Sequence, residues 1–166
     1  MSEKARLLKE VAIFGGMSEE IIEFILAHAV ESCMNKGEYL FKEGEKSTSM
    51  YLIEKGEVAI IKQCGSHQYL LRRLVAGDCI GEMALFDFMP RSASGYIMED
   101  TQLLEITASN LMEIYTQDLE QFAMMTLNMG REVTRRLRVS DERCFNVRVE
   151  AEINNGSIEF FTEGQH

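Results

Sequence analysis

Apolar positions recur at helical spacing at the start of the chain. Leu7, Leu8, Val11 and Phe14 form one stripe, and Gly15-Gly16 interrupts it. Ser18 suits an N-cap, with Glu19 and Glu20 placed in the favourable first turn. Ile21, Ile22, Ile25 and Leu26 continue the stripe toward Cys33. The pattern predicts N-terminal helices within residues 1–36.

The rhythm changes at Gly37. Short apolar or alternating runs follow at Tyr39–Lys42, Met50–Glu54, Val58–Gln63, Tyr69–Leu74, Ser94–Met98 and Gln102–Ile106. Glycines 37, 44, 56, 65, 77 and 81 fall between or beside them. Short strands joined by Gly-bearing turns predict an antiparallel β-roll, jelly-roll-like, over 37–107. Helical spacing returns after Thr107. Leu111, Met112 and Tyr115 mark a short helix. Leu119, Phe122, Thr126, Met129, Val133 and Leu137 mark a long one from about Gln117 to Arg143. In the tail, 144–166, Val147, Val149, Ala151 and Ile153 alternate ahead of Asn154-Asn155-Gly156, and Ser157-Ile158-Glu159-Phe160 follow. Asn-Gly between alternating runs predicts a β-hairpin. The expected fold is α+β: one domain over 1–143, with N-terminal helices, a β-roll and C-terminal helices over 108–143, then a short tail.

The bulk numbers narrow what such a fold can do. The chain has 166 residues, 46% of them hydrophobic, which supports one domain with a real core. No apolar run approaches the roughly 20 residues that span a bilayer, and the N-terminus lacks the apolar segment of a secretory signal. The reading is a soluble, cytoplasmic protein with no membrane partner. A net charge of −10 disfavours nucleic acid as a partner. Five arginines lie between 131 and 143, but Glu132, Asp141 and Glu142 dilute them. Cys33, Cys64, Cys79 and Cys144 form no CxxC pair and no zinc spacing, so no metal is expected. His28, His67 and His166 are far apart and belong to no catalytic motif, so no enzyme is expected.

The chemistry concentrates in residues 81–94, Gly-Glu-Met-Ala-Leu-Phe-Asp-Phe-Met-Pro-Arg-Ser-Ala-Ser. Gly81 ends a strand and opens a short helix, whose first N–H groups favour an anion. A loop turned by Pro90 returns Arg91 to the same place, and Arg suits bidentate pairing with a phosphate. A carboxylate beside a phosphate needs a donor of its own, and Glu82 would find one in a ribose hydroxyl. Ser92 and the N–H of Ala93 can complete the anion's shell.

This segment resembles the phosphate-binding cassette of the cyclic-nucleotide-binding domain family, with Gly81-Glu82-Met83-Ala84-Leu85 and Arg91-Ser92-Ala93 matching its pattern. Gly37–Gly44, Met50–Ile53 with Gly56–Val58, and Leu74–Asp78 resemble the turns and strands around it, so the likeness covers about residues 10–143. It implies that Gly81, Glu82, Met83, Ala84, Arg91, Ser92 and Ala93 hold the ribose and cyclic phosphate. It implies base packing by Ile60 and Leu71. The end of the long helix is similar to that of the bacterial activators, where residues matching Ser140 and Asp141 lie near the purine.

The expected function is therefore a ligand sensor that binds cAMP, with cGMP as the alternative, needs no cofactor, and signals through its C-terminal helix. Ser92 suits either nucleotide. Asp141 could accept from the adenine amino group, or from guanine N1–H and N2–H; the helix likeness favours cAMP. Residues 144–166 are too few and too acidic for a helix-turn-helix, so the sensor reads as stand-alone. The stripe on the long helix predicts a homodimer through 117–143, acting on an effector that the sequence does not identify. The competing readings are a β-roll interaction module without ligand control, and the sensor fragment of a larger transcription regulator or channel.

Overall fold

A computed structural model describes residues 3–155. The chain divides into two compact units, Met1–Met129 and Gly130–His166. The first holds three short helical segments, α1 (Glu3–Glu10), a 3-10 turn (Ala12–Phe14) and α2 (Glu19–His28), followed by the strands. Ser18 caps α2 as its position suggests, its Oγ accepting from Ile21 N at 3.3 Å. Ile22 and Ile25 are fully buried, and each such side chain contributes about 1.5–3 kcal/mol.

Eight strands follow: β1 (Val30–Met34), β2 (Tyr39–Phe41), β3 (Ser49–Lys55), β4 (Glu57–Cys64), β5 (His67–Val75), β6 (Cys79–Ile80), β7 (Ser94–Ile97) and β8 (Thr101–Thr107). They form two four-stranded sheets, β1-β8-β3-β6 and β2-β7-β4-β5, in which every strand pair is antiparallel. A five-residue helix, α3 (Met83–Asp87), separates β6 from β7. Phe41, Ile53, Val58, Leu74, Ile80, Ile97 and Leu103 build the core of the roll. A second cluster joins the helices to the first sheet, through Phe14, Ile22, Met50, Leu104 and Ile114 among others. The chain leaves the roll through α4 (Ala108–Gln117), whose start is fixed by a reciprocal capping box between Thr107 and Asn110. It ends in α5 (Leu119–Asn155).

The β-roll with flanking helices agrees with the sequence reading, and all six expected strands are present. Three boundaries differ. Helix does not persist to residue 36, because Val30–Met34 is a strand paired with β8 from Val30↔Glu105 to Met34↔Thr101. Val, Ser and Cys are weak helix formers, and the open edge of β8 decides their state. The two-residue β6 is too short to leave a pattern. The first arm of the expected tail hairpin, Val147–Ile153, is helical, and α5 passes residue 143 without a break. Arg148 and Glu152 fit that state: they face each other one turn apart, with Nε 2.7 Å from Oε1. Period-two alternation had masked that i,i+4 pair. The second arm, Ser157–Phe160, lies outside the described residues.

Candidate functional site

The cassette is a turn, a short helix and a return loop. Gly81 has φ of +85°, a conformation that side-chain-bearing residues rarely adopt. It ends β6 and lets the chain bend directly into α3. The return loop passes through Phe88, at φ of +53°, and brings Arg91 back against Gly81. Backbone bonds tie this return to the loop before β3. Gly44 N donates to Arg91 O, and Arg91 N donates to Glu45 O, both at 2.9 Å. Ser94 Oγ accepts from Glu43 N at 2.9 Å.

Glu82 and Arg91 are both buried, at 3% and 5% exposure. The Arg91 guanidinium donates from Nη1 to Gly81 O at 3.0 Å. From Nη2 it donates to Ser47 Oγ at 2.6 Å and Ser49 O at 2.8 Å. Its carbon lies 4.2 Å from the centre of the Phe41 ring and 5.8 Å from that of Tyr51. Burial pushes the Arg91 pKa below the ordinary arginine value, while its interaction and hydrogen bond with Tyr51 and the charges of Glu105 and Glu82 oppose that shift. Arg91 Nε and Glu82 Oε2 are buried atoms with no hydrogen bond among the described residues. The hydrogen bonds to Gly81, Ser47 and Ser49 end on neutral oxygens. A buried cation held this way is costly unless an anion completes its shell.

Of the other expected site residues, Ala84 and Ala93 are buried beside this pair, whereas Met83 and Ser92 are exposed. The Ser92 carbonyl accepts from Lys62 Nζ at 3.0 Å, and Lys62 also pairs with Glu43. Ile60 packs against the core of the roll. Leu71 is 46% exposed and falls at a bulge, where the β4–β5 register jumps from Ile60↔Arg72 to Ile61↔Leu70. Ser140 and Asp141 are exposed residues of α5 in the second unit. The structure thus brings Gly81 against Arg91, with the Glu82 carboxylate close enough to act on the guanidinium by its charge. The sequence reading missed Ser47, Ser49, Phe41 and Tyr51, which hold Arg91 in place. The Ser47-Thr48-Ser49 hydroxyl cluster ahead of a strand was the available signal. Among the described residues, no group of three or more His, Cys, Asp or Glu side chains is placed to hold a metal, and no helix is long and apolar enough to cross a membrane.

Comparison with known proteins places the chain in a family. The chain is 28% identical to the cyclic AMP receptor protein of Thermus thermophilus over 135 residues, covering 81% of this chain and 61% of that protein. It is 33% identical over 93 residues to a cGMP-dependent protein kinase of Toxoplasma gondii, covering 56% of this chain and 9% of the kinase. The chain thus spans less than two thirds of either relative. Its fold matches the crystal structure of a cyclic nucleotide-binding domain from Methylobacillus flagellatus with a TM-score of 0.75 at 22% identity, over 95% of this chain and 84% of that one. Residues 33–118 match the family model of the cyclic nucleotide-binding domain, and this chain belongs to that family.

Proposed function

We propose that this chain is a cyclic-nucleotide sensor in which Arg91 holds the cyclic phosphate and Glu82 accepts from the ribose 2′-hydroxyl. The observation that carries this reading is the buried guanidinium of Arg91, bonded to three neutral oxygens beside a buried carboxylate. A cyclic nucleotide presents the two complements together: a phosphate anion and, one ribose away, a hydroxyl donor. Gly81, Met83, Ala84, Ser92 and Ala93 form the backbone cradle, and Ile60 and Leu71 flank the base. Its role is regulatory rather than catalytic, in the cytoplasm.

Packing within the first unit supports a route for the signal. Leu85 of α3 packs on the same cluster that buries Met125 and Met129 of α5. The start of α5 is fastened to the N-terminal segment, where Asn128 Nδ2 donates to Ile13 O at 3.2 Å and Gly15 O at 2.7 Å. A ligand that pulls on the cassette shifts Leu85, and with it the seat of α5. The helix relays that shift to a second copy of the chain and to an effector protein.

The two relatives carry the names of different nucleotides, cAMP and cGMP, so the family alone does not choose the base. The sequence preference for cAMP depends on Ser140 and Asp141, which belong to the second unit. Isothermal titration with cAMP and cGMP tests the reading. Saturable 1:1 binding of at least one supports it, and heat-silent titrations with both refute it.

A further inference from the structure

The hydroxyl of Ser47 sits among hydrogen-bond donors, one of them a cation. Its Oγ lies 2.6 Å from Arg91 Nη2 and 3.2 Å from the backbone N–H of Ser49. The Ser49 hydroxyl, 3.2 Å away, can supply a third donor. A buried guanidinium and a backbone N–H converging on one oxygen make surroundings that suit an anion better than a neutral hydroxyl. Ser47 is also within reach from outside. Residues 45–48 lie ahead of β3 outside any helix, strand or turn. Lys46 and Thr48 on either side are exposed, and Ser47 itself is half-buried. Ser49 is 5% exposed and already belongs to β3. Of the three hydroxyls at 47–49, Ser47 is the one that solvent reaches and that Arg91 Nη2 touches.

Taken with the assignment of Arg91 to the cyclic phosphate, on which this inference rests, we infer that Ser47 is a phosphorylation site whose phosphate takes the nucleotide's place at Arg91. The phosphoryl donor is a nucleoside triphosphate held by a protein kinase. Ser47 Oγ attacks the γ-phosphorus, and the Oγ–P bond forms. The bond from that phosphorus to the β,γ-bridging oxygen breaks, the nucleoside diphosphate leaves with the electron pair, and the hydroxyl proton passes to the kinase's base. The product carries a charge of about −1.5 to −2 and three strong acceptor oxygens. Arg91 Nη2 and Ser49 N are already aimed at the point of attachment. A tethered phosphate meets the guanidinium at an effective concentration of about millimolar or more, which a dilute free nucleotide does not match. A second phosphate at the same cation meets like charge. Phosphorylation thus closes the site to cAMP and cGMP alike. By the reciprocity of coupled sites, bound nucleotide disfavours the phosphate on Ser47.

The test uses the intact chain with phosphoserine installed at position 47 by codon suppression, beside a second chain carrying it at position 48. Isothermal titration should show the first weakened about tenfold or more toward both cAMP and cGMP, and the second within about threefold of the parent. Both should keep the parent's melting temperature within a few degrees. Phosphorus NMR against pH gives a readout without nucleotide. Arg91 favours the doubly charged phosphate, while Glu82 and Glu105, whose charges reach Arg91, oppose it. Phosphoserine at 47 should titrate below phosphoserine at 48, and Arg91→Ala should raise the midpoint at 47 and leave that at 48 in place. In chain isolated from the cells that make it, with phosphatases inhibited, mass spectrometry of the tryptic peptide Ser47–Lys55 should place a phosphoryl group on Ser47. The inference is overturned, with the nucleotide site left standing, by a phosphoserine-47 chain that is unfolded or binds as tightly as the parent. A position-48 chain weakened as much, a midpoint that Arg91→Ala does not move, or a peptide with no phosphoryl group on Ser47 does the same. A parent that binds neither nucleotide refutes the sensor reading, and this inference with it.

Discussion

Gly81 and Arg91 occupy one another's space. The Gly81 carbonyl accepts from Arg91 Nη1 at 3.0 Å, and a Cβ on residue 81 would stand far inside van der Waals contact of that same nitrogen. The glycine is thus required twice, once for its φ of +85° and once because the guanidinium fills the place of a side chain.

Gly81→Ala should consequently damage binding more than folding. The backbone strain costs about 1–3 kcal/mol, while Arg91 must leave its seat over Phe41. The expected result is a modest drop in melting temperature and a loss of nucleotide affinity of at least tenfold. Titration calorimetry beside a thermal melt checks it, and affinity at the parent's level would show that Arg91 does not need this seat.

Arg91→Ala removes the cation outright. A charged group lost from a buried, hydrogen-bonded pair typically costs about 2–5 kcal/mol of binding. Both cAMP and cGMP should weaken by tens- to thousands-fold, since the cyclic phosphate is common to them. The fold should persist, because the substitution also removes a desolvated charge. Undiminished binding of either nucleotide would remove Arg91 from the site.

Much of this site was legible in the sequence because its chemistry is local. Gly81, Glu82 and Arg91 lie within eleven residues, and each has a physical reason for its type. The strand runs were legible for the same reason, since short apolar stretches such as Val58–Ile61 or Leu103–Leu104, set between glycines or polar residues, are a short-range property. What escaped depends on contacts distant in sequence. Ser47 and Ser49 meet Arg91 across more than forty positions, and β1 exists because the edge of β8 is open to it. The tail failed for another reason: Val147–Ile153 fits both a period of two and a helix, and the Arg148–Glu152 pair belongs only to the helix.

Glu132 gives a pH-dependent handle on the second unit. Burial raises its pKa, but hydrogen bonds from Arg135 and the charges of Arg136 and Arg135 outweigh that, so the carboxyl lies below the ordinary value of 4.5. Its Oε1 accepts from Arg136 Nε at 2.9 Å and its Oε2 from Arg135 Nη2 at 2.7 Å. A depressed acid stabilises the folded state fully above its unfolded pKa and loses that contribution as pH falls through the folded one. Carbon-detected NMR should place the Glu132 midpoint below 4.5, and Glu132→Gln should flatten the acid limb of α5 melting. A midpoint at or above 4.5 would mean that the two arginines do not hold it.

The proposed dimer needs a seam other than the one the sequence suggested. Met129 belonged to that stripe, but it is 1% exposed in the core of the first unit, together with Met125, and Phe122 packs on them. Charging Met129 would therefore unfold the domain rather than separate two copies. Beyond it, Val133, Leu137, Ser140, Cys144, Val147 and Ala151 follow one another at spacings of 4, 3, 4, 3 and 4, a heptad pattern carried on continuous helix. Leu137 and Val147 are 58% and 66% exposed, so charge placed there leaves the first unit's core untouched. Light scattering should give twice the chain mass for the parent and the chain mass for the Leu137→Glu, Val147→Glu double variant. The variant should still bind nucleotide, since the substitutions leave Arg91 and Glu82 in place. The seam also places Cys144 opposite its own copy if the helices run parallel and in register. Oxidation by a disulfide such as oxidised glutathione should then link the two thiols, passing their two electrons to the glutathione disulfide, and Cys144→Ser should abolish the link while the protein stays dimeric. A monomeric parent, or a dimer that the double charge leaves intact, would rule out this seam.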